Sequence, residues 1–187
     1  MFEERKINPE LLKQYREQGY WKNETLLDCW ERAAAQYPDR EYVVDDRGYR
    51  YTYRELDEAA GRGASYLMEV GIRPGEVVSY QFPIWSEFAM LTIACYKVGA
   101  VAHPIAMSYE EKELARSLNV TESRCYFGPT YFYKTDYEER ILAVRDQTPL
   151  LKDIVLIDSV KPAKSSVRLL REILASYEPL PKEQGVH

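Results

Sequence analysis

Cysteine, histidine and glycine are all scarce in this sequence, and each scarcity removes a class of function. Three cysteines and two histidines, His103 and His187, in 187 residues leave no ligand set for a structural or catalytic metal. Cys29, Cys95 and Cys125 are odd in number, widely spaced and set among apolar neighbours, the pattern of reduced core thiols rather than of a disulfide framework. The nine glycines never gather into G-x-G-x-x-G or the P-loop pattern, the turns in which backbone amides close on phosphate. A one-sided charge is missing too. Lys and Arg number 25 against 30 Asp and Glu, for a net charge of −5, and the signs are interspersed, so there is no basic face for nucleic acid. The longest apolar run, from Phe88 to Val98, is interrupted by Thr92 and Lys97 and falls short of the roughly 20 residues that a membrane span needs. The start, Met-Phe-Glu-Glu-Arg-Lys, has no apolar secretory core; with the thiols, this predicts a cytoplasmic protein with no membrane span.

What the chain has instead is a steady alternation of helix and strand signals. Thr52 with Glu55 three residues on is a reciprocal capping box and predicts a helix from Tyr53. Leu56, Ala59, Ala60, Gly63 and Leu67 form its apolar stripe, Glu58 and Arg62 its wet side, and Gly71 its end. Arg73-Pro74-Gly75-Glu76 suits a type II turn into a strand over residues 77–82. Glu87 to Val98 is apolar nearly all round, predicting a buried helix, and residues 100–104 are the strand that leaves it. Such a βαβ unit has a right-handed crossover and parallel strands.

Upstream, Asn8-Pro9 and Thr25 with Asp28 start two leading helices over 8–37. Asp45-Asp46-Arg47-Gly48 turns a hairpin between Tyr42-Val43-Val44 and Tyr49-Arg50-Tyr51. Downstream, Ser108 with Glu111 reads as another capping box, 124–127 as a strand stopped by Gly128-Pro129, Asp136 with Glu139 as a helix start, and 154–157 as a fully buried strand. Ser159 to Ser166 reads as a polar linker, followed by a helix through Val167, Leu170, Ile173 and Leu174 and a tail with Pro179 and Pro181. The predicted fold class is α/β, a parallel sheet with helices on both faces plus an N-terminal helix pair and β-hairpin. One subdomain is expected over 1–158, with 159–187 as linker, helix and tail.

The residues form no complete catalytic constellation. The turn Pro83-Ile84-Trp85-Ser86-Glu87 lies at the carboxyl end of a strand, where ligands of parallel sheets sit, so Trp85 is a rim candidate for substrate binding as well as a packing residue. His103 follows a strand and can serve as a general base, though no acidic or nucleophilic partner is identifiable beside it; a structural role is the alternative. Tyr131-Phe132-Tyr133-Lys134 can line a groove for an apolar ligand or partner chain, or simply pack a loop. The acids Glu110, Glu111, Glu113, Glu138 and Glu139 lie at helix starts, where the helix dipole favours them. No catalytic, cofactor-binding or metal residues are assigned.

Four ordered pieces, Tyr51-Thr52-Tyr53-Arg54-Glu55-Leu56, Gly71-Ile72-Arg73-Pro74-Gly75-Glu76-Val77-Val78, Pro83-Ile84-Trp85-Ser86-Glu87-Phe88 and Lys97-Val98-Gly99-Ala100-Val101-Ala102-His103-Pro104, resemble the N-terminal part of the AMP-forming acyl- and aryl-CoA ligases, the adenylating superfamily. Weaker similarity extends over nearly the whole chain, and its details look most like the branch acting on cyclohexanecarboxylate and other medium-chain or cyclic acids. Two departures stand out: Ile84 replaces the Asn common in that turn, and Tyr96-Lys97-Val98-Gly99 replaces Leu-Lys-Ala-Gly.

The resemblance implies the N-terminal subdomain of the ligase fold and, for a full-length enzyme, ATP, Mg and CoA: carboxylate and ATP give acyl-AMP, then acyl-CoA. It also implies that the phosphate-binding loop, the ribose-binding Asp and the Lys-bearing C-terminal domain lie downstream of the matched region; Lys164-Ser165-Ser166 lacks the glycines to stand in for the loop. The expected partner is therefore the remainder of a ligase chain. Self-association through the exposed docking face is expected for the isolated chain, which would be an inactive scaffold. The alternative is a stand-alone α/β interaction or regulatory module derived from the same fold.

Overall fold

In the computed structural model, which describes residues 8–158 and 161–181, the first three helices start at their expected caps. Helix α1 (Pro9–Glu17) begins where Asn8 accepts from the Glu10 amide. Helices α2 (Leu26–Gln36) and α3 (Tyr53–Glu69) both open on full capping boxes, Thr25 with Asp28 and Thr52 with Glu55. Each box satisfies two amides that the helix itself leaves without acceptors. Between α2 and α3, strands β1 (Glu41–Val44) and β2 (Arg50–Thr52) pair antiparallel as the expected hairpin. The type II turn forms as well: Gly75 has φ +82° and the Glu76 amide donates to Arg73 O at 3.0 Å.

The turn leads into β3 (Val77–Tyr80), the buried helix α4 (Ser86–Lys97) and β4 (Val101–Pro104). Then come α5 (Glu111–Val120), β5 (Cys125–Pro129), the short hairpin β6 (Tyr131–Phe132) and β7 (Thr135–Asp136), α6 (Tyr137–Val144), β8 (Asp153–Ile157), β9 (Arg168–Leu169) and α7 (Leu170–Ser176). The main sheet has the order β4-β3-β5-β8-β9, and every pairing in it is parallel. Both faces are covered. Val78, Tyr80, Phe127 and Val155 pack with Leu56, Leu67, Leu91 and Ile173 on one side, and Tyr126, Ile154 and Leu156 with Leu114, Leu118 and Ile141 on the other. Consecutive residues of β8 thus face two different cores, which is why that strand has no polar alternation.

Several expectations are corrected. Ser108 does not cap α5, whose N-cap is Glu110 with no side-chain hydrogen bond. Gly128 and Pro129 do not stop β5 but belong to it, pairing with Leu156 and Ile157. The strand tolerates the proline because the Thr130 amide takes up the ladder beyond it, donating to Ile157 O at 2.8 Å. A fifth parallel strand, β9, precedes the last helix; two residues are too few to show a period of two. Arg62 does not face water alone, since it donates to Tyr177 O at 2.5 Å. Cys29 is exposed, whereas Cys95 and Cys125 are buried, and burial pushes the Cys95 thiol up to about 12. Ser159 and Val160 of the expected linker, and the tail beyond Pro181, lie outside the described residues.

Candidate functional site

Strand β3 ends at Tyr80, and residues 81–85 lead to α4, which starts with no side-chain cap of its own. Its acceptor comes from elsewhere. Asp45, in the β1–β2 turn, takes the Ser86 amide at 3.3 Å and the Ser86 hydroxyl at 3.1 Å through Oδ2. A helix N-terminus is a ready anion site, and here an internal carboxylate already occupies it.

Arg47 completes the cluster. Its Nη2 donates to Asp45 Oδ2 at 2.6 Å and also to Glu87 Oε2, and its guanidinium lies 4.0 Å from the Trp85 ring centroid and 4.9 Å from that of Tyr49. Burial acts to raise the Asp45 carboxyl, but the hydrogen bonds from Arg47 and Ser86 outweigh it and hold the group below its usual range. Burial likewise opposes the Arg47 charge, and Glu87 and Asp45 more than restore it.

Trp85 is only 3% exposed; Arg47 lies over its ring, and the Phe132 ring stands perpendicular to it at a centroid distance of 5.4 Å. Among the described residues its indole N–H and Arg47 Nε have no hydrogen-bond partner. The neighbouring Ile84 is 93% exposed, and Tyr133 at the tip of the β6–β7 hairpin is 85% exposed. Tyr133 and Lys134 both take positive φ there, as the two residues of a tight hairpin turn must. Tyr131 lies under the Lys161 ammonium at 3.5 Å. The tyrosine-rich stretch is thus a small hairpin, with Phe132 inward and Tyr133 outward.

Arg47, Tyr49, Glu87, Ile157, Asp158 and Leu170 help to line a cavity of about 540 Å³ between the hairpin, α4 and α7. Its walls carry both signs, because Arg171 pairs with Asp158 on the far side. This suits a polar ligand no better than an internal ion-pair network, and among the described residues no phosphate-cradling turn borders it.

His103 has a different setting. The β3–β4 register places it opposite Ser79, and Ser79 Oγ lies 2.8 Å from His103 Nδ1. Burial lowers the His103 pKa, favouring a neutral ring that accepts from the hydroxyl. Ser79 is fully buried, so the pair lacks the access a nucleophile needs. Beside it, Tyr126 donates to Gln81 Oε1 at 2.9 Å and Gln81 Nε2 donates to Ala106 O at 2.8 Å.

The two candidates therefore engage separate partner sets, Trp85 with the hairpin and α4, His103 with β3. Among the described residues no group of three or more His, Cys, Asp or Glu is placed to hold a metal, and no helix is long and apolar enough to cross a membrane. Sequence reasoning missed Asp45 and Arg47, reading them only as turn residues. The signal was the missing cap on α4, which required an acceptor from another part of the chain.

Comparison with known proteins places these features in context. The family model described as AMP-binding enzyme matches residues 30–183. The medium-chain fatty-acid–CoA ligase of Escherichia coli K12 is 40% identical over 155 residues, covering 83% of this chain and 27% of the relative. A salicyl-AMP ligase/salicyl-S-ArCP synthetase of Mycobacterium tuberculosis is 39% identical over 176 residues, covering 91% and 31%. Among solved structures, apo MbtA of Mycobacterium smegmatis superposes with a TM-score of 0.78 at 25% identity over 94% of this chain and 32% of that one. The chain therefore spans somewhat under a third of the length of these relatives.

Proposed function

The chain belongs to the AMP-binding enzyme family, and from that premise we propose that it is the N-terminal scaffold portion of an ATP-dependent acid–CoA ligase, inactive by itself. In the whole ligase a carboxylate and ATP would give acyl-AMP and pyrophosphate, and CoA would then give the acyl-CoA and AMP. Medium-chain or cyclic acids are the proposed substrates. The observation that carries the reading is partial coverage: strong similarity runs along most of this chain but along less than a third of each relative.

The site chemistry supports it. Most of the rate of adenylation comes from preorganised donors and cations around the phosphates. At the carboxyl end of β3 the Ser86 amide, at the start of α4, is held by Asp45, and the guanidinium of Arg47 is engaged by two carboxylates. ATP, magnesium and CoA are accordingly assigned to residues of the longer protein. Trp85 and His103 remain the proposed contributions of this portion to the rim of the substrate site, as packed and positioning groups.

The test is acid-dependent exchange of labelled pyrophosphate into ATP by the purified chain, with magnesium and a panel of medium-chain and cyclic acids. No exchange above a protein-free blank is expected. Exchange activity that copurifies with the chain would overturn the scaffold reading, because a complete adenylating constellation would then be present.

A further inference from the structure

The last described segment does not hang from α7; it lies along α3. Arg62 Nη1 donates to Tyr177 O at 2.5 Å and Leu174 O at 3.4 Å, capping carbonyls at the end of α7 that the helix leaves without donors. Ser65 Oγ donates to Glu178 O at 2.8 Å, the Leu180 amide to Gly61 O at 3.1 Å, and the Tyr177 hydroxyl to Glu69 Oε1 at 2.7 Å. Gly61 makes the approach possible, since a Cβ there would stand 3.0 Å from Pro179 Cβ and 3.2 Å from its Cα.

At its other end the same unit is tied to a different part of the fold. Glu138 accepts the Lys164 amide and the amide and hydroxyl of Ser165, and the Thr130 hydroxyl donates to Lys161 O at 2.6 Å. Between these two anchors, β9 joins the sheet through only two register pairs, Val155 with Arg168 and Leu156 with Leu169. Leu170 and Ile173 then bury against the core shared with α3. A unit with so short a ladder depends on its edges.

We infer that β9, α7 and the strap through Leu180 form one hinged flap, pivoting at the Glu138-bound connector and latched by Gly61, Arg62 and Ser65 of α3. Releasing the latch frees residues 168–180 together and bares the outer edge of β8, while β4, β3, β5 and β8 stay paired. Locally cooperative units of this kind open below the free energy of global unfolding.

Hydrogen exchange followed by mass spectrometry on the 187-residue chain tests this. Two variants attack the latch differently. Arg62→Ala removes the capping guanidinium; Gly61→Val leaves it in place, costs α3 nothing in helix propensity because valine is no worse than glycine, and fills the space that Pro179 occupies. Both should speed exchange across 168–180 together, by tenfold or more, with little change in β3, β5 and the 164–165 connector. Acceleration confined to 177–180 would mean a passive tail, and equal acceleration throughout the chain would mean general destabilisation. Either result overturns the flap.

Discussion

Lys97, the last residue of α4, holds its ammonium 2.9 Å from Asp57 Oδ1 on α3, and the same oxygen accepts the Trp30 indole N–H from α2 at 2.7 Å. One carboxylate thus joins three helices. Lys97 is buried while Asp57 keeps some contact with water. Removing the acid is therefore expected to cost more than removing the base. Asp57→Ala leaves a buried ammonium and an indole N–H without acceptors and should cost about 3 kcal/mol. Lys97→Met replaces the buried charge with an apolar chain of similar length, leaves Asp57 bonded to Trp30, and should cost under ~1 kcal/mol. Urea unfolding of the two variants measures the difference; equal losses would show that the pair contributes nothing beyond side-chain volume.

The start of α3 carries a second prediction. Thr52 accepts the Glu55 amide at 3.2 Å, and Glu55 accepts the Thr52 amide at 2.8 Å. Thr52→Ala should destabilise the chain by roughly 1 kcal/mol through the lost cap, with the fold unchanged. Denaturant melts that coincide with those of the unmodified chain would refute the capping argument.

Acid should loosen the connector before β9. Glu138 is 2% exposed; burial acts to raise its carboxyl, and the Ser165 hydroxyl with the Lys164 and Ser165 amides more than reverses this, leaving it below the ordinary glutamate value. A depressed folded value means that the stabilisation is complete at neutral pH, begins to fall once the pH drops below the unfolded value, and is gone below the folded one. Asp136, the N-cap of α6 and paired with Lys164, is depressed in the same direction and adds to the same acid limb. Glu138→Ala should cost about 2 kcal/mol at pH 7 and flatten the loss between neutral and acid pH. Thermal melts from pH 7 down to about pH 3, below the reference carboxylate values, read both effects. An acid limb as steep in the variant as in the unmodified chain would assign it to other carboxylates.

Self-association is the fourth expectation. Ile84 and Tyr133 project from the strand-end surface, and Val101 and Val120 are exposed elsewhere. The Trp85–Phe132 contact brings the loops that carry Ile84 and Tyr133 together, and it is contiguous apolar surface, not scattered residues, that a partner covers. Sedimentation of the isolated chain should show a weight-average mass that rises with concentration, and Ile84→Asn should reduce the rise. A monomer at every concentration would count against a missing docking partner and favour a stand-alone module.

Apart from the two-residue strands β6, β7 and β9, the order of helices and strands was legible in the residues themselves, because caps, turns and periodic stripes act over short stretches of chain. Thr52 with Glu55 and Pro74 with Gly75 each settle a local geometry almost independently of the rest of the chain. Helix α4 and strand β8 announce themselves by continuous apolarity, which only burial on both sides explains.

What tertiary structure alone decided is every relationship set by spatial register. Ser79 meets His103 because two parallel strands align at that position, Asp45 caps α4 from a turn 41 residues away, and Arg62 reaches the end of α7 across 115 residues. The separate settings of Trp85 and His103 belong to the same class, as does the insertion of β9 into the sheet. Such contacts obey hydrogen-bond and charge rules as strict as those of a capping box, but their partners are selected by how the layers pack. Side-chain identity constrains local geometry through covalent reach, whereas long-range pairing depends on the whole fold bringing unsatisfied groups face to face.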